Sequence, residues 1–433
     1  MTKRAVRVVA ALLAGGMTVQ LTACSGEVKE PYYEDNQRIA IGAWVAPPPG
    51  YINDESYKQV AESGINIIYG LYEDIDQHAL DALKYAEQNG IQYMARSRSL
   101  FSIPEDELDL MEGMFDEVAK SPALRGIMVV DEPGAAKFEH LGVLNKKFKE
   151  LYPDLMFYVN LNPIYSSPDQ RDGRTYQDYI DEYISVVGTD YLSYDHYPLK
   201  NSPTSGTFLT ENYLLNLDIV STATKKAGIP FWLFIQAMGY WVAGSENRPP
   251  NEADIRWQVY NSLAFGARGL QHFTYWTPLK DDVTVFSEAM VDKEGNKTPI
   301  YDAVKNVNHE ILDFDHIYLN YDNVGVMTFP VEDAPPELYM ENRLPSFEPI
   351  RNVESEHPVV VGAFEDKDGN QAIMLVNFTD PAHELSNEVT IKFNKVKEVS
   401  EYGMGGNNRV KVKGGSYNVT LEPGEGKFIL LLK

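Results

Sequence analysis

Two adjacent acidic residues, Asp131 and Glu132, follow a short apolar run and precede Pro133. A carboxyl group that is partly shielded from water keeps its proton to a higher pH, so it can act as a general acid near neutral pH. Two roles fit this pattern: acid–base catalysis, or capping of the helix that is predicted to begin near Gly134. The choice between them depends on the elements that position the two carboxyl groups.

A repeating pattern surrounds the acidic pair: a short β-branched or aromatic run, then an amphipathic stretch of helical period. It predicts strands at residues 39–45, 65–71, 91–96, 126–131, 156–161, 191–197, 231–236 and 269–275. Helices are predicted at 77–88, 105–120, 135–151, 176–187, 211–226 and 252–265, and Gly64, Gly90 and Gly228 fit left-handed helix caps. Eight such units in residues 38–317 predict a (β/α)8 TIM barrel. The alternative is an open doubly wound sheet, which the absence of a glycine-rich loop after the first strand disfavours.

After a last helix ending near residue 314, the pattern changes to alternation. Strands are predicted at 323–329, 358–364, 372–378, 388–393, 417–421 and 427–432, with a Pro-rich interruption at 330–349. Residues 318–433 are therefore predicted to form a small C-terminal antiparallel β-sandwich beside the α/β barrel. The segment from Asp366 to Gly369 fits a hairpin turn better than a calcium loop, since the loop's last ligand position would fall on Asn377 within a strand.

Polar and aromatic residues at the carboxyl ends of barrel strands converge on one mouth, so they predict the site. Aromatic faces stack on sugar rings, whereas carboxylates and amides bind hydroxyl groups, and this composition predicts a carbohydrate site. The pattern contains no metal triad and no Ser-centred elbow, so we expect neither a metal nor a cofactor. The residues at the predicted strand ends, besides the acidic pair, are Trp44, Tyr69, Glu73, Arg96, Asn160, Asn162, Asp195, His196, Tyr197, Gln236, Tyr275 and Trp276.

The net charge of the chain argues against one class of binding partner. The 433 residues contain 38 Lys plus Arg against 63 Asp plus Glu, a net charge of −25. Such a chain repels phosphate backbones, so nucleic acid is not expected as a partner.

The single cysteine, Cys24, ends the tetrapeptide Leu21-Thr22-Ala23-Cys24 behind a basic and then an apolar run. This resembles a bacterial lipoprotein signal. The resemblance implies removal of residues 1–23, lipidation of Cys24 (palmitate included), a polar tether at 24–37, and an extracytoplasmic protein of the cell envelope that meets a membrane only through its lipid. An ordinary secretory signal or a membrane helix are the alternatives, but the apolar run falls short of the roughly 20 residues that span a bilayer.

The sequence Gly-Ile-Met-Val-Val-Asp131-Glu132-Pro133 resembles the Asn-Glu-Pro signature on strand 4 of clan A glycoside hydrolases, whose Glu is the general acid/base. The stretches at 190–198, 267–276 and 292–301 are similar to β-galactosidase-type enzymes of family 42 and their relatives. The resemblance implies hydrolysis of O-glycosidic bonds in an oligo- or polysaccharide, with Glu132 as general acid/base.

The seventh strand departs from this family pattern. Clan A enzymes carry a nucleophilic Glu there, whereas this strand ends in Gln236, whose amide cannot form a glycosyl ester. The second carboxylate would then be Asp195, or else Glu73 or Glu246. A 2-acetamido group of the substrate could also supply the nucleophile. The remaining alternatives are a carbohydrate-binding lipoprotein on a degenerate barrel and, third, a structural lipoprotein.

Overall fold

The structure, a computed structural model, describes residues 29–72, 74–242, 244–278 and 283–433. The predicted signal peptide and its Cys24 lie outside the described residues, as does Glu73.

Eight parallel strands close into a barrel, which confirms the predicted fold class. Each strand pairs with the next along the chain, and the last pairs with the first to complete the ring. The strands are β1 (Ala40–Ala43), β2 (Ile67–Tyr69), β3 (Gln92–Arg96), β4 (Leu124–Asp131), β5 (Met156–Leu161), β6 (Leu192–Asp195), β7 (Phe231–Gln236) and β8 (Gly269–Phe273). Their carboxyl ends therefore form one mouth.

Helices surround the barrel, and the predicted glycine caps are correct. Gly64, Gly90 and Gly228 all have positive φ, the conformation that glycine adopts without steric cost. The helices are α1 (Asp54–Glu62), α2 (Gln77–Gln88), α3 (Phe138–Leu151), α4 (Tyr176–Val187), α5 (Tyr213–Ala227), α6 (Glu252–Ala264), α7 (Pro299–Leu312) and α8 (Asp315–Tyr318).

One predicted helix is wrong. Residues 105–120 form two short 3-10 turns, Leu108–Met111 and Val118–Lys120, instead of one α-helix. Gly113 lies between them with φ 73°, and this left-handed residue interrupts the helical path.

A five-stranded antiparallel sheet, which the sequence analysis did not predict, crosses the mouth; we call it the lid sheet. Tyr240 pairs with Phe286, whereas Trp241 pairs with Val285, so the two pairs lie on opposite faces. The strands of the lid sheet are Leu199–Ser202, Gly206–Leu209, Tyr240–Val242, Ser245–Asn247 and Thr284–Phe286.

The C-terminal region is antiparallel, as predicted, and contains a six-stranded and a three-stranded sheet with a buried apolar core between them. A hairpin turn joins two strands at Asp366 to Gly369, in agreement with the sequence. The strands are Tyr321–Phe329, Ile350–Ser355, Val359–Asp366, Gln371–Asn377, Asn387–Phe393, Glu398–Gly403, Asn408–Lys411, Ser416–Leu421 and Gly426–Leu432. Three of them, 350–355, 398–403 and 408–411, were not predicted.

The six-stranded sheet packs along α6 at very short range. A Cβ atom on Gly362 would lie 2.2 Å from the carbonyl oxygen of Ala264, and one on Gly424 would lie 2.1 Å from that of Ala253. Only glycine allows this approach, so the two regions form one packed body. No helix within the described ranges is both long and apolar enough to cross a bilayer.

Candidate active site

Glu132 stands at the carboxyl end of β4, where the backbone leaves regular strand geometry. The pairing of β4 with β5 shifts register between Met128 and Val130, and Glu132 has φ 46°. A bulge re-aims the side chains that follow it, and a left-handed conformation at a residue other than glycine costs on the order of 1 kcal/mol. The rest of the fold sustains this strained turn, and both acidic side chains reach the pocket at the mouth.

This pocket has a volume of about 260 Å³ and combines carboxylates with aromatic rings. Barrel strands supply its floor, and the lid sheet supplies one wall. Its lining residues are Trp44, Asp131, Glu132, Asn160, Asp195, Tyr197, Phe234, Tyr240, Val242, Phe273, Thr284 and Phe286. Of the residues predicted from strand ends, Trp44, Asp131, Glu132, Asn160, Asp195 and Tyr197 are thus brought together.

The three carboxyl groups form one hydrogen-bonded cluster. The Asn160 side-chain amide donates to Asp131 Oδ1 at 3.2 Å and to Asp195 Oδ1 at 3.0 Å. Glu132 and Asp195 are hydrogen-bonded to each other through their carboxyl groups. Two carboxyl groups in such contact must share a proton, because two negative charges at this distance repel each other strongly.

Burial raises the pKa of all three acids, and the hydrogen bond from Asn160 partly offsets this effect at Asp131. Burial, and then the charge of Asp131, raise the pKa of Glu132 to about 7. Asp195 is only 4% exposed, and burial together with the charges of Glu132 and Asp131 raises its pKa well above its usual range. The side chains of Asp131 and Glu132 are open to solvent through the pocket. The surrounding wall nevertheless displaces enough water for burial to be the main cause of the raised pKa of each.

The helix-capping role for the acidic pair does not agree with the structure. The backbone N–H of Ala136 donates to Asp172 Oδ2 at 2.9 Å, so Asp172 occupies the capping position. The N-cap of α3, Lys137, makes no side-chain capping bond. Asp131 and Glu132 are therefore free to face the pocket.

Asn162 supports the site from behind instead of lining it. Its amide donates to the backbone oxygen of Glu132 at 3.2 Å and to that of Pro133 at 3.5 Å. Asn162 is 1% exposed. The geometry therefore gives no support to a contact between the Asn162 side chain and a substrate. Instead, Asn162 stabilises the turn that carries Glu132.

Two further predicted binding residues point away from the pocket. His196 is fully buried between Asn216 and Thr210, at 2.9 and 2.7 Å, and burial lowers its pKa to about 3. Side chains alternate along a strand, so when Asp195 faces the pocket its neighbour must face the helices. The Gln236 amide is also fully buried and donates to the Arg248 carbonyl oxygen at 2.8 Å. Both residues are structural in this arrangement.

The remaining predicted residues also lie outside the pocket. Tyr275 is buried, and Trp276 packs on the ring of Tyr51 at 4.6 Å. Arg96 donates to the carbonyl oxygen of Leu71 at 2.9 Å, and its charge lowers the pKa of Asp131. Glu246 accepts from the amide of Asn201 at 2.8 Å within the lid sheet. These placements leave the six residues named above as the part of the site found from sequence.

Half of the lining was missed by the sequence reasoning. Phe234 and Phe273 lie within barrel strands, whereas Tyr240, Val242, Thr284 and Phe286 come from the lid sheet. Lid strands of three residues are too short to show alternation. Within the described ranges, no group of three or more His, Cys, Asp or Glu side chains is arranged to hold a metal ion.

The sequence profile of glycoside hydrolase family 42, described as beta-galactosidase, matches residues 144–314. The structure of Gan42B, a GH42 beta-galactosidase, superposes with a TM-score of 0.58 at 10% identity, over 91% of this chain and 98% of that one. The chain resembles the family 42 glycoside hydrolases. At this identity the structural likeness establishes the fold alone, a (β/α)8 barrel followed by a C-terminal β-domain. The profile match begins after Glu132 and so does not include it.

The structures of two other β-galactosidases are similar to parts of this chain. The enzyme from the psychrophilic Marinomonas ef1 has a TM-score of 0.46 at 9% identity, over 64% of this chain and 60% of that one. The enzyme from the haloarchaeon Halorubrum lacusprofundi has a TM-score of 0.46 at 12% identity, over 66% and 58%. No curated protein matches the sequence significantly.

Proposed function

We propose that the protein is a glycoside hydrolase that cleaves O-glycosidic bonds of an oligo- or polysaccharide, with Glu132 as general acid/base. The observation that carries this proposal is the carboxyl cluster: Glu132 has a pKa of about 7 inside a pocket lined by aromatic rings. A general acid works best when its pKa is close to the working pH, and the rings offer apolar faces to a sugar.

In the proposed step, protonated Glu132 donates its proton to the glycosidic oxygen as the bond from that oxygen to the anomeric carbon breaks. A nucleophile attacks the anomeric carbon, and water finally supplies the hydroxyl group of the product. Glu132, now a carboxylate, takes the proton from that water and is restored. Trp44, Tyr197 and Tyr240 line the space beside it and would hold the sugar ring.

Asp195 was the first choice for a second carboxylate, and its position suggests a different role. The two catalytic carboxyls of a retaining enzyme lie about 5 to 5.5 Å apart, and those of an inverting enzyme about 6.5 to 9.5 Å. Asp195 is hydrogen-bonded directly to Glu132, which leaves no room for a glycosidic bond between them. We therefore assign Asp195 to holding the proton and orientation of Glu132. The attacking group is then another carboxylate, an activated water, or a 2-acetamido group of the substrate.

A carbohydrate-binding protein without hydrolytic activity is the second candidate. The observation in its favour is Gln236, whose amide is bonded to the backbone of Arg248 and Leu199 and cannot serve as a nucleophile. The same aromatic pocket would then bind a glycan and leave it intact.

One assay separates these two functions. The protein is incubated with a panel of oligosaccharides that includes β-galactosides and 2-acetamido sugars, and both binding and new reducing ends are measured. Release of reducing ends supports the hydrolase, and release confined to 2-acetamido sugars indicates substrate assistance. Binding without release on every glycan supports the binding protein, and neither binding nor release contradicts both.

We further propose that the protein is exported and anchored through a lipid on Cys24, on the basis of its signal-like N-terminus. Metabolic labelling with palmitate tests this directly, since Cys24→Ser should abolish incorporation.

A further inference from the structure

The described chain begins with a segment, Lys29–Arg38, that is bound to the body of the protein; we call it the docked segment. Glu30 accepts hydrogen bonds from the hydroxyl groups of Ser400 and Tyr402, the former at 2.6 Å. Tyr33 donates to Asp366 Oδ2 at 2.5 Å, and its ring packs against Tyr321 at 5.6 Å. The expected polar tether is therefore held along this part of its length.

The docked segment ends at the base of the barrel. Arg38 pairs with Asp315 at 2.8 Å, and the backbone N–H of Ile39 donates to the same carboxylate at 2.9 Å. The next residue, Ala40, opens β1, so this point lies at the amino ends of the barrel strands. The pocket lies at the opposite, carboxyl ends. An eight-residue strand such as β4 separates the two ends by about 20 Å.

The length of chain before the docked segment is short. Five residues lie between Cys24 and Glu30, so six residue-to-residue steps connect them. A fully extended chain covers at most about 3.6 Å per residue, so Glu30 can lie no more than about 22 Å from Cys24. A lipid on Cys24 would therefore hold the base of the protein close to the bilayer.

The charge at the base of the barrel is mixed. A depression of about 400 Å³ beside the docked segment is lined by Lys29, Lys397 and Lys433. Lys433 also lies 3.5 Å from Glu348. The docked segment also carries the acidic residues Glu30, Glu34 and Asp35, so the three lysines only partly offset the negative charge of this surface.

We propose that the base of the barrel, with the docked segment and the adjacent six-stranded sheet, is a membrane-facing surface whose partner is a phospholipid bilayer. The pocket then faces away from the membrane, toward soluble or extracellular glycan. This proposal rests on lipidation of Cys24 and is independent of whether the pocket hydrolyses its ligand.

Short-range fluorescence quenching tests this orientation. The chain holds one cysteine, Cys24, and lipidation would block its thiol, so an introduced cysteine can be labelled selectively. Two labelled forms of the lipidated full-length protein are compared. One carries a fluorophore on Lys367→Cys, beside Asp366, which accepts the hydrogen bond from Tyr33. The other carries it on Ser205→Cys, in the turn between two strands of the lid sheet. Each is placed in phosphatidylcholine–phosphatidylglycerol vesicles with a nitroxide on the headgroup. We expect quenching at least threefold stronger at position 367 than at 205.

Two variants show whether the docked segment sets this orientation. Glu30→Ala with Tyr33→Ala removes its hydrogen bonds and its ring contact, and twelve Gly/Ser residues inserted after Glu27 lengthen the reach by about 40 Å. Each should reduce quenching at position 367, while hydrolysis or glycan binding in detergent stays unchanged. Equal quenching at both positions, stronger quenching at 205, or failure of the protein to remain on vesicles would overturn the proposal.

Discussion

The carboxyl group of Glu132 is hydrogen-bonded to that of Asp195 inside the pocket. The pair lies at the ends of two strands, β4 and β6, that are not adjacent in the barrel, and Asn160 on β5 bridges Asp195 to Asp131. The barrel thus assembles an acid whose proton is shared by two residues 63 positions apart.

Replacing Asp195 with Asn should move the alkaline limb of the pH–activity profile to lower pH. The pair still holds one proton above pH 7, because the pKa of Asp195 is raised well above its usual range, whereas Asn has no carboxyl proton to share with Glu132. The measurement is kcat/KM against pH. If the alkaline limb does not move and only the maximum of kcat/KM falls, Asp195 has a purely structural role.

Glu132 also makes folding stability depend on pH. Its folded-state pKa of about 7 lies above the ordinary 4.5, so the stabilising effect of its proton is complete below pH 4.5 and is lost as pH rises through 7. Glu132→Gln should therefore be more stable than the wild type at pH 8 and nearly equal at pH 4.5. Since solvent reaches this carboxyl, the difference should be about 1 kcal/mol. Urea unfolding at the two pH values measures it, and an identical difference at both would refute the assignment.

Gln236→Glu should not restore a family-type nucleophile. Gln236 donates to the Arg248 carbonyl oxygen and is fully buried, so a carboxylate there would face an acceptor. We expect a loss of about 2 to 4 kcal/mol in the free energy of unfolding and no gain in turnover. Gln88→Glu, at an exposed position, is the control and should lower the free energy of unfolding by only a few tenths of a kcal/mol. Increased turnover would mean that the residue can turn into the pocket.

The lid sheet offers a matched pair of aromatic residues. Tyr240 lines the pocket, whereas its neighbour Trp241 lies on the other face and is 38% exposed. Tyr240→Ala should raise KM, or Kd for a bound glycan, about fivefold, since one aromatic contact contributes about 1 kcal/mol. Trp241→Ala should change it less than twofold. Similar effects of the two substitutions would argue against a sugar contact at Tyr240.

The barrel could be predicted from the sequence because the patterns that mark its strands and helices are local. Each strand is a short apolar run, and glycines such as Gly64 and Gly228 mark helix ends by their own conformational freedom. The acidic pair was found for the same reason, since it directly follows β4.

The sequence did not predict which strand-end side chains face the pocket. Asp195 and His196 are neighbours, yet only Asp195 enters the pocket because side chains alternate at the strand end. Gln236 is bonded to Leu199 in a lid strand, and that strand is 37 residues away along the chain. Such contacts depend on the assembled fold and leave no local pattern.

The turnover of Glu132→Gln, measured beside glycan binding, decides whether Glu132 is the general acid of this site. The control is Glu139→Gln, an exposed glutamate in the first turn of α3. We expect Glu132→Gln to lower kcat at least 100-fold on a substrate that the wild type cleaves, with binding preserved, because the proton donor is removed and the side-chain shape is kept. Glu139→Gln should match the wild type. Equal turnover by Glu132→Gln and the wild type would contradict the account.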